Sequence, residues 1–154
     1  MSKQSRETDI AVLNKIYEEV DKYKWRISDS DDEFAQAISF PEVAEKFLNS
    51  FSAKINDEMA VVVGAYKVAF YHDEERFTWE KREYAAIISL KFSDKYSEVF
   101  FIDNEDYKEL KRPLINIKSP IFNSKFFNLI TSLYEKVNRN VNDVESIYNN
   151  FLNK

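Results

Sequence analysis

Met59-Ala60-Val61-Val62-Val63-Gly64-Ala65-Tyr66-Lys67-Val68-Ala69-Phe70-Tyr71 is followed by His72-Asp73-Glu74-Glu75-Arg76 and then by Phe77-Thr78-Trp79. This stretch decides the fold. A long run of Val, Ala and aromatic residues, closed by a polar pentapeptide and resumed in extended pattern, reads as strand, turn, strand. Gly64 within it suggests a bulge or kink. The second strand continues, with room for a bend, into Tyr84 to Phe92. Ser93-Asp94-Lys95 turns the chain again into Tyr96 to Ile102. The connections are short enough for hairpins and too short for helical crossovers, so the strands form an antiparallel meander. Tyr66, Tyr71, Tyr84 and Tyr96 are read as sheet residues with hydroxyls at the periphery.

Outward from this sheet the apolar period changes to three or four residues. Ile10, Leu13, Ile16 or Tyr17, Val20 and Tyr23 form the inward stripe of a first helix. Ser30 with Glu33 fits a capping box for a short helix with Phe34, Ala37 and Ile38 inward. Pro41 suits the first turn of a third helix, with the stripe Val43, Ala44, Phe47, Leu48, Phe51 and Ile55. Asn104 to Arg112 is polar, a loop or one helical turn. Pro113 and Pro120 bracket Leu114 to Ile117, read as an edge strand. Asn123 or Ser124 starts a helix with Phe127, Ile130, Leu133, Tyr134 and Val137 inward. Asn142 and Glu145 frame a last helix with Val144, Ile147, Tyr148 and Phe151 inward.

The expected fold is therefore α+β in a single domain spanning 1–154. A meander of three to four strands over about residues 59–102 packs against N-terminal helices over about 8–25, 31–39 and 41–56. C-terminal helices over about 124–138 and 143–152 complete it. A length of 154 residues, 44% hydrophobic and 16% aromatic, is ample for one core. The longest apolar run, Met59 to Val63, is far short of the roughly 20 residues needed to span a bilayer. The polar start, Met1 to Arg6, has no signal-peptide pattern, so cytoplasmic residence is expected.

Composition excludes more than it includes. With one glycine, Gly64, the chain cannot build a phosphate-binding loop, a dinucleotide fingerprint or a nucleophile elbow. Zero cysteines remove thiol catalysis, cysteine-zinc sites and disulfides, and a lone His72 removes multi-histidine metal centres. No cofactor is expected, and the chain is read as a non-enzyme. Net charge is −5, distributed as −4 over residues 1–57, −3 over 58–112 and +2 over 113–154. An acidic surface disfavours direct nucleic-acid binding and suits a basic protein partner. Lys, Asn, Ile, Phe and Tyr make up 64 of 154 residues, which points to an AT-rich genome such as a low-GC bacterium or its phage.

The candidate sites are acidic groups in loops. His72 with Asp73, Glu74 and Glu75 resembles a metal or acid–base cluster, but consecutive turn residues seldom converge on one ion, and a solvated hairpin tip is the better reading. Asp29, Asp31 and Asp32 alternate like part of a calcium loop that lacks its glycine and distal glutamate, so helix capping is preferred. The third group is Asp103, Glu105 and Asp106. Together the three groups either mimic DNA phosphates or are simply solvated. Trp79, among Thr78, Glu80, Lys81, Arg82 and Glu83, is either a binding anchor or a strand residue packed inward. The partner-binding candidates are Asp73, Glu74, Glu75, Trp79, Asp31, Asp32, Glu105 and Asp106.

Two resemblances follow from these residues. Ala85-Ala86-Ile87-Ile88-Ser89-Leu90-Lys91 resembles the strand of PD-(D/E)xK nucleases, but Ser89 stands where the acid belongs, while Glu109-Leu110-Lys111 has acid and lysine in a polar segment. In size, acidity and single-domain organisation the chain resembles small phage-encoded inhibitors, including anti-CRISPR proteins. That resemblance has no diagnostic motif and carries over no residue. It implies a Cas9-type target with a basic nucleic-acid channel, and residence in the host cytoplasm. A toxin-neutralising immunity-type protein and a degenerate metal-dependent nuclease built on His72 to Glu75 are the alternatives. Oligomeric state is left open.

Overall fold

The computed structural model describes residues 3–28, 32–90, 98–117 and 127–153. Five antiparallel strands pair in chain order: β1 (Arg26–Ile27), β2 (Lys46–Asn56), β3 (Met59–Tyr71), β4 (Phe77–Ser89) and β5 (Glu98–Asp103). Helices α1 (Lys3–Glu18) and α2 (Glu33–Gln36) belong to the N-terminal half, and a 3-10 turn (Val20–Lys22) follows α1. Helices α3 (Asn104–Ile117), α4 (Leu129–Val141) and α5 (Val144–Leu152) follow the sheet. The fold is α+β with a meander sheet, as expected, with five strands rather than three or four, and β4 pairs with β3 without interruption.

The sheet has two unlike faces. On one, Phe51, Val61, Val63, Ala65, Ala85, Ile87, Phe100 and Ile102 pack against Leu13 and Ile16 of α1, Val20, and the buried row Leu129, Ile130, Leu133, Tyr134 and Val137 of α4. The stripes read for the first helix and for α4 supply this layer. On the other face, Ala60, Val62, Tyr66, Val68, Tyr84, Ala86 and Ile88 pack, among the described residues, with Leu90, Val99 and Phe101 beside them and Phe34, Ile38, Phe40 and Ala44 over them. Here the rings of Tyr66 and Tyr84 stack with centroids 5.8 Å apart, and those of Tyr84 and Phe101 at 5.4 Å. Phe40 stands edge-on to all three.

The helix expected over 41–56 is instead a turn within 41–45 followed by strand β2. Residues 50–55, Ser-Phe-Ser-Ala-Lys-Ile, alternate polar and apolar, and β2 buries Phe51 and Ala53 on the helix-covered face. The register shifts between Phe47 and Ser50, where three steps on β2 oppose two on β3. This bulge displaces the upstream apolar residues by one position and imitates helical spacing. Phe47 consequently lies on the face opposite Phe51. It pairs with Tyr66 and is 55% exposed, with its ring edge-on to Phe40 at 4.9 Å. We therefore expect Phe47→Ala to cost about 1–2 kcal/mol in denaturant melts, the scale of its two edge-on ring contacts, with Phe40 and with Tyr66 at 6.1 Å. A loss of about 3 kcal/mol would restore the helical assignment.

Other boundaries also differ. Gly64 makes no bulge of its own: β3 and β4 pair without interruption from Met59↔Ser89 to Tyr71↔Phe77. Asp32, not Ser30, caps α2, and Ala37 is exposed at its end. Ser30 lies outside the described residues, as do the turn at 93–95, Tyr96, Lys91, Pro120, Asn123 and Ser124. The expected edge strand at 114–117 is the end of α3, which continues through Pro113 from a first turn anchored by Asp103 and Asp106. Asn128 caps α4 through its side chain, and Phe127 stands outside that helix, half exposed against Tyr17. In α5, Ile147, Tyr148 and Phe151 face outward rather than into the core. The hydroxyls of Tyr66 and Tyr84 are not peripheral, since both residues are buried.

Candidate functional site

Strand ends are staggered, and the stagger creates the most distinctive surface. Pairing of β2 with β3 extends to Lys46↔Lys67, and pairing of β4 with β5 ends at Tyr84↔Asp103. Beyond Lys67, β3 and β4 continue alone through Val68↔Glu80, Ala69↔Trp79, Phe70↔Thr78 and Tyr71↔Phe77. The result is a two-stranded arm tipped by residues 72–76. A bare hairpin is marginally stable; this one is braced by its own rings. Phe77 is 5.4 Å from Tyr71 and 5.3 Å, edge-on, from Trp79. On the opposite side Phe70 meets the His72 ring at 5.3 Å, and His72 Nε2 is 3.2 Å from Thr78 Oγ1.

These rings are nonetheless uncovered. Phe70 is 51% exposed, Tyr71 62%, Phe77 44% and Trp79 36%. Four large aromatics on one narrow projection form a concentrated apolar surface of the kind that marks interaction sites. Trp79 is not packed into the core. Its indole lies on the helix-side face of the arm with Lys46 Nζ 4.4 Å from the ring centroid.

The arm tip is a structured turn. Asp73 accepts hydrogen bonds from the backbone N–H of Glu75 and Arg76, both at 2.9 Å, and from Arg76 Nε at 2.8 Å. The Arg76 guanidinium and those two N–H groups hold its carboxyl below the ordinary range. Asp73 is thus consumed in shaping the turn, leaving the exposed Glu74 and Glu75 as the outward carboxylates. Among the described residues, no group of three or more His, Asp or Glu is arranged to hold a metal ion.

Asp32 and Asp106 also take part in local structure. Asp32 is buried; its Oδ1 accepts from the N–H of Phe34 and Ala35, and its Oδ2 from Ser52 Oγ and Arg26 Nε. Asp31 and Asp29 lie outside the described residues. At the start of α3, Asp106 N–H donates to Asp103 Oδ1 and Asp103 N–H to Asp106 Oδ2, a reciprocal cap. Asp103 Oδ2 also accepts from Tyr66 Oη at 3.2 Å. Burial, then the Asp103 charge, raise the Tyr66 phenol, and burial pushes Tyr84 up to about 12, so both stay protonated. Glu105 is half buried beside this cap. The rung at Tyr84 is seven residues from the rung at Phe77, about 23 Å at a strand's rise. The tip carboxylates and the α3 cap are therefore well separated along β4.

The residues that sequence reading missed are lysines. Lys46, Lys67 and Lys81 are register partners across β2, β3 and β4, on the same face as Trp79. Lys81 Nζ lies 4.8 Å from the Tyr134 ring centroid. On the other face a cleft of about 480 Å³ is lined by Ser28, Phe40, Phe47, Leu48, Ser50 and Tyr84. No helix among the described residues is long and apolar enough to cross a membrane. Comparison with protein-family models, curated proteins and solved structures finds no match to this chain.

Proposed function

We propose that this chain is a non-enzymatic binding protein that inhibits a larger, basic, nucleic-acid-processing partner by stoichiometric contact through the β3–β4 arm. The observation that carries the reading is the arm itself, a braced hairpin bearing four exposed rings and tipped by Glu74 and Glu75. Rings held by their neighbours lose little freedom on binding, and aromatic anchors of this type dominate interface energetics. The tip carboxylates steer the arm toward a basic groove. An RNA-guided nuclease of the Cas9 type offers such a groove, in keeping with the resemblance to anti-CRISPR proteins.

The test is capture from cells expressing candidate RNA-guided nucleases, followed by titration of the protein into a cleavage assay with the captured enzyme. Inhibition is expected to be complete near equimolar protein. Phe77→Ala/Trp79→Ala is expected to speed dissociation about 30-fold or more, the scale of a hot-spot loss, while the melting temperature moves by only a few degrees. Glu74→Lys/Glu75→Lys is expected to slow association, more so at low salt. Inhibition at strongly substoichiometric protein would mean catalysis and end the binding model. Full inhibition by both variants would remove the arm from the contact.

A further inference from the structure

The helix-side face of the arm changes character along its length. At the root stand Lys46, Lys67 and Lys81, one rung across three strands. Like charges directly opposite each other destabilise a sheet. Here Lys46 and Lys81 are offset by the faces of Trp79 and Tyr134. Among the described residues none of the three has a carboxylate oxygen within 4.0 Å, although Lys81 is near enough to the buried Glu83 on the same face to favour its charge. Next come Ala69 with Trp79, then Tyr71 with Phe77, and finally the turn with Glu74 and Glu75. The order is cationic root, aromatic middle, anionic tip.

Such a strip is complementary to itself when reversed. We propose that two copies of this chain pack arm against arm, helix-side faces together and antiparallel, about a two-fold axis through the Trp79–Phe77 region. Glu74 and Glu75 of each copy then lie over Lys46, Lys67 and Lys81 of the other, and the exposed rings of both are buried between. The dimensions agree: Lys67 to Tyr71 spans four residues, about 13 Å of strand, and the turn adds the reach to the opposite root. A closed two-fold contact uses each complementary pair twice and leaves no surface for further growth. A single-stranded nucleic acid could use the same lysines and rings, but it would run past the tip carboxylates. A second copy satisfies both ends. The inference rests on the arm alone and not on the identity of any inhibited partner; one set of rings cannot face both at once, so the dimer must open before the arm engages a partner, and the two contacts compete.

Charge exchange tests it. The wild-type chain, at concentrations up to about 100 μM where a micromolar Kd is occupied, is expected to sediment at twice the mass of 18.3 kDa. Dissociation should strengthen at least about tenfold between low and high salt. Glu74→Lys/Glu75→Lys and Lys67→Glu/Lys81→Glu should each be monomeric alone, and an equimolar mixture should restore a heterodimer. Phe77→Ala/Trp79→Ala should abolish both. Circular dichroism melts check that each variant folds; if Lys67→Glu/Lys81→Glu does not, the exposed Lys46→Glu replaces it in the mixing experiment. A wild-type monomer throughout this range overturns the proposal. So does a dimer that survives in both charge variants, or a mixture that fails to pair. An oligothymidine probe that binds a monomeric wild type and loses binding on lysine reversal would assign the root to nucleic acid instead. None of these readouts depends on nuclease inhibition, so the two readings fail separately.

Discussion

Gly64→Ala is expected to lower stability by about 2–3 kcal/mol, despite adding only one methyl group. A Cβ at this position would lie 2.6 Å from Tyr84 Oη, 2.7 Å from Ser50 Cβ and 2.8 Å from Tyr84 Cζ. Burying the methyl group would favour the fold by about 0.8 kcal/mol, so the sign is decided by whether the tyrosine can move. It is held by Tyr66 and Phe101 on either side and by Phe40 edge-on. The single glycine thus answers to a side chain crossing the strand, not to a turn. Urea melts give the check, with Tyr84→Ala as second site: Gly64→Ala should cost clearly less in that background, though Ser50 still opposes it. Equal costs in the two backgrounds would remove the ring as the obstacle.

Asp32→Ala is expected to cost about 2–4 kcal/mol, from loss of the α2 cap at about 1 kcal/mol and from leaving the buried Ser52 hydroxyl without its acceptor at about 1–3 kcal/mol. The carboxylate also sets a pH dependence. Burial opposes its charge, but Ser52, the N–H groups of Ala35 and Phe34, and Arg26 outweigh burial and hold the carboxyl below its ordinary value. Its contribution is therefore present above the ordinary carboxylate range and is lost as pH falls through the depressed value, below about pH 4. Glu83 acts in the opposite sense. Burial raises it, so its contribution is present below the ordinary range and is lost as pH rises through the raised value. Stability measured from about pH 3 to pH 7 should show a steeper acid loss for wild type than for Asp32→Ala. Parallel curves would mean that Asp32 is no better stabilised folded than unfolded.

What was legible in the chain follows from range. The β3–β4 hairpin announces itself locally, through a valine-rich run and a polar turn, and α4 through an unbroken apolar stripe with Leu133 fully buried. Strand β2 does not, because one bulge between Phe47 and Ser50 converts alternation into a helical spacing. That single misreading also hid half the candidate surface. Trp79 stands out because its sequence neighbours are polar, and the tip carboxylates because they are consecutive. Lys46, Lys67 and Lys81 become one rung only when β2 is a strand in a particular register, a long-range fact that no local pattern encodes. The acidic loops at Asp32 and Asp106 look like surface charge in sequence because their partners, Ser52 and the N–H of Asp103, are set by tertiary structure and capping geometry.

The meander order has a kinetic meaning as well. Every strand pairs with its neighbour in the chain, and the β3–β4 pair closes over only a short turn. The sheet can therefore zip up stepwise at small entropic cost per closure. The helix layer cannot. Lys136 Nζ reaches the Tyr17 carbonyl and Asn140 the Asp21 carboxylate across 119 residues of chain. Docking of α1 onto α4 is, among the described residues, a closure that spans most of the polypeptide, and it joins the N-terminal and C-terminal helices over a sheet that can form before them.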